Sequence, residues 1–409
     1  MRRVALLCLG LVVGAASAAE AQLTMQMGNG WSFTFAGNVN AFLVYDDVNS
    51  AGVDPLGGKG AAGIRTGLLP AFAVFDAKGK EGSTDLGVHF GFAPQIQCGY
   101  NPPPPGGTAT NGASVLGQGH DCQGAQIDMR QVYLTVGGSW GQILAGRELG
   151  LFGRQNILND QTLFGVGATG GAAGQGTTLG RIGFGYVYPN FKAQMTYSTA
   201  PGRPFNFSIG LFQPAQNPPF VTVQVPRVEA EGVWSQGNTK IWVGGVAQTN
   251  KTDPDDPLNP LGVDETGFAW GGTGGARFGT AMFSVTGNAW YGKGIGSILM
   301  FLGGANPAST GSGGSDDLRK SYGGYGQVTV TPASSKVTVA GSWGISVLQN
   351  SNNEADFKNK NWLASGGIYY QATKSLKVVG EFNYAVVDNT GAPAKIKEIA
   401  PALGFMLFF

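Results

Sequence analysis

The sequence predicts an all-β protein: a transmembrane antiparallel β-barrel of about sixteen strands in one domain, with eighteen as the alternative count. Three observations point there: an export signal at the start, strands of alternating apolar and polar residues, and a last strand that stops on an aromatic.

Arg2 and Arg3 precede an apolar run from Val4 to Ala16, and small residues follow from Ser17 to Ala21. Such an order is a secretory signal peptide. Cleavage after Ala18 or after Ala21 fits, and the second leaves a polar start at Gln22, so the expected division is 1–21 signal and 22–409 barrel. Cys8 lies within the apolar run behind Ala5-Leu6-Leu7, which lacks the small residues a lipid-modified cysteine needs. Beyond the signal no segment approaches the roughly 18 to 20 apolar residues of a spanning helix.

Charged residues make up 12% of the chain, against about a quarter in a typical soluble domain, while Gly counts 69 and Phe 24. Strands with one face in lipid and tight turns between them need such a balance. A hydrophobic share of 42% argues against glycine-rich disorder. The net charge of +1 predicts no nucleic-acid partner. Only Cys98 and Cys122 remain after processing, and an exported chain meets an oxidising compartment, so one disulfide between them is expected.

In 86–95, Leu86, Val88, Phe90 and Phe92 share a face opposite Asp85, Gly87, His89, Gly91 and Gln95. In 191–198, Phe191, Ala193, Met195 and Tyr197 oppose Lys192, Gln194, Thr196 and Ser198. In 336–347, Val337, Val339, Trp343, Ile345 and Val347 oppose Lys336, Thr338, Ser342 and Ser346. The apolar set faces lipid and the other the lumen. Short connections at 78–82, 138–141, 189–190, 236–238 and 331–335 alternate with long ones at 47–62, 98–124, 149–178, 252–266, 293–317 and 349–360. Hairpin counting gives sixteen strands if 201–224 is one loop, and eighteen if Phe205–Phe212 and Val221–Val225 pair. Alternation places Arg65 in the lumen, with Ile64, Thr66, Leu68, Phe72 and Val74 outward; it places Arg181 inward likewise, with Ile182, Phe184, Tyr186 and Tyr188 outward.

An enzyme is not expected, because the mature chain has only His89 and His120 and no nucleophile or carboxylate set beside them. His89 reads as a lumen-facing strand residue. His120-Asp121-Cys122 cannot aim three adjacent side chains at one ion, so no metal site and no cofactor is expected. Asp253–Asp256 with Asp264 and Glu265 reads as a solvated external loop before it reads as a calcium or lipopolysaccharide bridge.

Residues 129–141, Met-Arg-Gln-Val-Tyr-Leu-Thr-Val-Gly-Gly-Ser-Trp-Gly, followed by Ala145-Gly146-Arg147, resemble the trimeric general porins of Gram-negative outer membranes. In that family a similar strand, glycine turn and Gly-Arg ending precede the third external loop, which folds inward and narrows the pore. The resemblance implies that Glu148–Thr178 is this loop, anchored by Leu151, Phe152, Leu158 and Phe164, and that 181–192 is the next hairpin. It implies a constriction of Arg65, Arg130, Arg147 and Arg181 facing Asp160 and Glu148, with Phe164 where a second loop carboxylate is usual. Arg130 is placed inward by resemblance, which would turn Gln131, Tyr133 and Thr135 outward.

The ending, with Pro401, Leu403, Phe405, Leu407 and Phe409 on one face, looks like the strand signal read by the barrel assembly machinery. The implied protein is a homotrimer in the outer membrane, in contact with lipid and lipopolysaccharide. It would be a diffusion pore for small hydrophilic solutes and ions, weakly anion-preferring. A substrate-specific channel is the alternative and would show an aromatic ladder in the lumen; Trp and Tyr lie mostly on the outward set. A structural or adhesive barrel comes third, because about sixteen strands enclose an aqueous channel whereas small barrels fill with side chains.

Overall fold

The computed structural model describes residues 23–49, 61–97, 127–170, 177–217, 220–255, 257, 266–298, 300–305, 318–352, 354, 357–390 and 395–409. The expected signal peptide, Cys98, Cys122 and His120 lie outside these residues, as do Asp256, Asp264 and Glu265.

Among the described residues one sheet of nineteen strand segments forms. They are β1 (Leu23–Gln26), β2 (Ser32–Asn49), β3 (Ala61–Arg65), β4 (Phe72–Glu81), β5 (Thr84–Pro94), β6 (Ile127–Gly138), β7 (Gly141–Leu149), β8 (Phe191–Ser198), β9 (Phe205–Phe212) and β10 (Phe220–Thr222). Then follow β11 (Arg227–Gln236), β12 (Thr239–Thr252), β13 (Thr266–Gly279), β14 (Phe283–Lys293), β15 (Lys320–Val330), β16 (Val337–Gln349), β17 (Lys358–Gln371), β18 (Leu376–Asn389) and β19 (Ile396–Phe408).

These segments make a closed barrel of sixteen crossings. β3 and β4 both pair with β2 and form one crossing interrupted at Thr66–Ala71. β10 and β11 likewise share β12 as partner. β1 lies beside Ser32–Phe35 of β2, while β19 pairs with β2 from Asn38 to Asn49, so β1 continues the column that β19 begins. The β19–β2 pairing closes the cylinder, leaving no open edge that would strand backbone groups in hydrocarbon.

Alternation sets the faces as expected on most strands. In β5, Val88 and Phe90 are exposed while His89 is buried; in β19, Ile399, Leu403, Phe405 and Leu407 are exposed while Ala400, Ala402 and Met406 are buried. At the end with short connections, Phe35 lies 5.0 Å from Phe75 and 5.2 Å from Phe409, and Phe75 lies 6.0 Å from Phe92. These outward rings form part of an aromatic girdle.

The count of sixteen stands, but two segments trade places. Phe205–Phe212 is a strand, paired with β8 and β11. Residues 181–188, expected as a strand, are not one: Ile182, Phe184 and Tyr186 are buried inside the barrel, and Pro189–Asn190 ends a long loop instead of making a short turn. The apolar alternation there is satisfied by protein, not lipid.

On the β3–β4 crossing Arg65 pairs with Phe42 on the inner face and Ile64 is 65% exposed outside. Leu68, Phe72 and Val74, however, pack inward, because the Thr66–Ala71 break inverts the alternation. The hydrophobic core therefore sits in the lumen, where Phe42, Leu68 and Phe72 from one wall and Trp290, Tyr325 and Tyr369 from the other meet the long third loop.

Candidate functional site

The third loop runs from 150 to 190, and its neck is closed by the Gly150 N–H donating to the Asn190 carbonyl at 2.8 Å. Gly153, at φ 81°, starts the short helix α1 (Arg154–Leu158). Asp160 then caps a 3-10 turn over Gln161–Phe164, accepting from the Thr162 N–H at 3.1 Å and its hydroxyl at 2.6 Å. The two arms of the loop meet where Ala168 N–H donates to Gly180 at 3.0 Å and Gly180 N–H to Val166 at 3.1 Å. Gly167 and Gly180 hold positive φ there, and a Cβ on Gly167 would come within 2.4 Å of Gly180. Only glycine fits that approach.

The wall holds this loop with carboxylates, hydroxyls and indoles on the inner face of its strands. On β11, Glu229 accepts the Phe152 N–H at 2.9 Å and Glu231 pairs with Arg154 at 2.6 Å. Asn156 donates to Thr273 of β13 and accepts from the Trp242 indole of β12, each bond close to 2.9 Å. Tyr325 of β15 donates to the Asn156 carbonyl at 2.9 Å, and Gln327 accepts from Gln161 N–H at 2.7 Å. Trp290 of β14 donates to Gly185 at 3.1 Å, and Ser346 of β16 accepts from the same residue at 3.1 Å. Glu381 of β18 accepts from the Val166 and Gly167 N–H groups at 2.7 and 3.0 Å and from the Tyr369 hydroxyl at 2.5 Å. Glu398 of β19 accepts from Thr169 N–H at 2.8 Å, Asp46 of β2 from the Thr169 hydroxyl at 2.7 Å, and Arg65 of β3 donates to the Thr177 carbonyl at 3.2 Å. The loop is thus attached from β11 round through β19 and β2 to β3; it reaches across the lumen instead of lining one side.

The expected constriction residues distribute differently from the pattern the sequence suggested. Arg181 and Asp160 meet at 3.4 Å, but both are fully buried, with Arg181 also donating to the Leu363 carbonyl at 3.0 Å and to the Ser342 hydroxyl. Arg65 and Glu148 are buried as well, and Glu148 accepts from Gln131 at 2.7 Å. Arg147 lies opposite Val132 and Ala193, on the outward set, because Glu148 beside it pairs inward with Lys192. Arg130 falls at a register shift in the β5–β6 ladder, bound to Asp128 at 2.8 Å and lying 5.5 Å from the Phe191 ring. The shift reverses the expected sides: Gln131 reaches Glu148, Tyr133 stacks on the inward His89 at 4.5 Å, and Thr135 fills the space over Gly87, so all three face inward. His89 also pairs with Asp76 at 2.9 Å.

Sequence reasoning missed Glu229, Glu231, Glu381 and Glu398. Their signal was present, since each is a carboxylate on the polar half of an alternating strand in a chain poor in charge. It also missed the inward Trp242, Trp290 and Tyr325, which hold the loop, and Tyr369, which braces the Glu381 that does. Lumen-facing charges that reach solvent are mainly cationic: Lys78 on β4, Lys240 on β12, Arg277 on β13 and Lys377 on β18, the last lying 3.9 Å from the Phe164 ring. Among the described residues no cluster of His, Cys, Asp or Glu could hold a metal ion, and no helix is long and apolar enough to cross a membrane.

No protein-family model matches the chain, and no curated protein matches it. Solved structures do. The outer-membrane channel DcaP of Acinetobacter baumannii is similar with a TM-score of 0.64 at 15% identity, over 94% of this chain and 99% of that one. An anion-selective porin from Comamonas acidovorans gives 0.61 at 12%, over 93% and 100%. OmpT of Vibrio cholerae in its trimer form gives 0.53 at 13%, over 93% and 100%. At such identities the likeness is one of fold, and the fold is that of the outer-membrane porins.

Proposed function

We propose that this porin-fold chain is an outer-membrane diffusion channel for small hydrophilic solutes and ions, with a weak preference for anions. The observation that carries the reading is the inner surface of the barrel. Sixteen crossings enclose a lumen wide enough for water, the loop narrows it, and the charges left facing solvent are mostly cationic. Asp46, Asp160, Glu229, Glu231, Glu381 and Glu398 are engaged at the loop, whereas Lys78, Lys240 and Arg277 enter no ion pair among the described residues. Ion preference follows such a lining. Arg65 and Arg181 act in this reading by fixing the loop and Glu148 by holding the Gln131 amide and the Leu149 N–H beside its neck, while Arg130 is engaged by Asp128 and Arg147 lies on the outward set.

The chain reaches its site through the signal peptide at 1–21, is inserted by the barrel assembly machinery through the Phe409 ending, and sits against lipopolysaccharide as a homotrimer. The trimeric form of the Vibrio cholerae relative in fold supports that assembly.

The test is single-channel recording of the purified protein in a planar bilayer under a salt gradient. Discrete conductance steps with a reversal potential displaced toward chloride are expected. Clear cation selectivity would overturn the anion preference, and absence of steps the channel itself. The reach of the loop across the lumen favours a second reading, a substrate-specific channel. Conductance that saturates at low salt, with block by one solute class only, would distinguish it.

A further inference from the structure

Across the lumen face near the short-connection end, Ser235 of β11 lies opposite Lys240 of β12, Lys240 opposite Arg277 of β13, and Arg277 opposite Thr286 of β14. All four point inward, since Trp242, two residues beyond Lys240, is buried against Asn156 of the loop. Adjacent strands stand about 4.8 Å apart, so the row sets a hydroxyl, an ammonium, a guanidinium and a second hydroxyl side by side.

Every member donates hydrogen bonds and none is acidic. Like charges directly opposite each other on a sheet repel, and Lys240 and Arg277 form no hydrogen bond or ion pair among the described residues. The nearest carboxylate, Glu231, is held by Arg154 at 2.6 Å and Gln155 at 3.1 Å. Lys240 lies within electrostatic range of that carboxylate and of the Arg154 and Arg277 guanidiniums, so two cations crowd it against one carboxylate already bound elsewhere. The Thr286 hydroxyl is buried and has no hydrogen-bond partner. A buried hydroxyl without a hydrogen-bond partner, beside two adjacent cations, is an arrangement that a bound anion would relieve.

We propose that Lys240, Arg277 and Thr286 form a binding site for a small divalent oxyanion in the lumen, with Ser235 at the edge of the row. A monovalent ion would leave one of the paired cations uncompensated, whereas a dianion neutralises both, and its several oxygens accept from the guanidinium, the ammonium and the Thr286 hydroxyl together. The site rests on the channel reading above, since the lumen is its route of access.

The experiment is titration of inorganic phosphate into bilayer recordings of the whole protein in potassium chloride. Phosphate should reduce the chloride current saturably. Replacing the pair together (Lys240→Gln with Arg277→Gln) should raise the half-blocking concentration at least about tenfold, equivalent to about 1.4 kcal/mol. Thr286→Val, which keeps the shape of the side chain, should raise it about threefold, and it stands in if the double variant does not fold. Removing two lumen cations elsewhere (Lys78→Gln with Lys377→Gln) should shift the reversal potential yet move the half-blocking concentration less than about twofold. A wild-type channel that conducts without phosphate block overturns the site and leaves the channel intact; equal weakening by both double variants, or no effect of Thr286→Val, also overturns it. A protein that does not conduct at all overturns the channel reading instead.

Discussion

Glu381 decides the position of the loop more than any arginine does. Its carboxylate takes two loop N–H groups, the Tyr369 hydroxyl and the Asn383 amide, and hydrogen bonds to a charged group contribute about 1.5 to 3 kcal/mol each. Gly165 packs so closely that a Cβ there would come within 2.0 Å of the carboxylate. Glu381→Ala should therefore release the Gly165–Gly167 segment and give larger, noisier conductance steps, with a loss of roughly 2 to 3 kcal/mol in loop stability; steps identical to wild type would contradict this. Tyr186, in the loop, donates to Asp160 at 2.9 Å, and burial followed by the Asp160 charge holds its hydroxyl well above the usual phenol range. A group whose folded value is raised stabilises fully below its unfolded value, about 10 for tyrosine, and loses that contribution as pH climbs toward the folded value. Current noise should accordingly stay flat to about pH 10 and rise above it, while Tyr186→Phe should remove that rise. Arg130→Ala should leave the salt-gradient reversal potential unchanged, because the guanidinium is neutralised by Asp128 and lies against the Phe191 ring; a marked shift toward cations would place it in the ion path after all. The inward side of Glu381 could be read from alternation, but the loop segment it holds could not, because its partners are more than two hundred residues away in sequence.

At the scale of elements, 181–188 and 205–212 show what alternation can and cannot say. Both read apolar, polar, apolar, and a strand in lipid and a loop buried in protein hide the same side chains from water. The periodicity of Phe205–Phe212 belongs to a crossing, since both of its edges find partners in β8 and β11. Gly180, Gly183 and Asn190 bring positive φ to the other segment and break the extended geometry a strand needs. The last strand was legible throughout, because its alternation has no interruption and its end is fixed by closure. Phe409 exchanges hydrogen bonds with Gly37 at 2.8 and 3.0 Å and packs against Phe35. Deleting Phe409 removes this last rung of the seam, so the truncated protein should be exported yet reach the membrane as folded barrel at much lower level, as read by heat-modifiable migration on gels. Undiminished folded protein would show that the rung is dispensable. The Cys98–Cys122 loop lies outside the described residues; non-reduced mass spectrometry should find the two thiols bonded, and reduction should cost roughly 3 kcal/mol by the chain-entropy estimate.

For the whole molecule, the barrel is expected to assemble as three copies. Gln131, Tyr133 and Thr135, expected to point outward, face the lumen and offer no surface to a second copy, so the trimer stands as part of the proposed function alone. Light scattering in mild detergent should give three times the mass of the mature 22–409 chain, which is smaller than the 42.3 kDa of the full sequence, and a monomeric mass would exclude the assembly. What the sequence determined by itself was the class, the approximate number of crossings, the lipid face and the seam strand, because each follows from local rules: period-two burial, strand length against bilayer thickness, and an apolar set where hydrocarbon must be met. What only the tertiary structure decided was which apolar segments meet lipid and which fill the lumen, which side Arg130 and Arg147 take, and which carboxylates hold the loop. Those outcomes depend on a register shift, an inverted alternation and contacts between distant strands. One displaced residue turns every following side chain to the opposite face, and no local pattern carries that displacement.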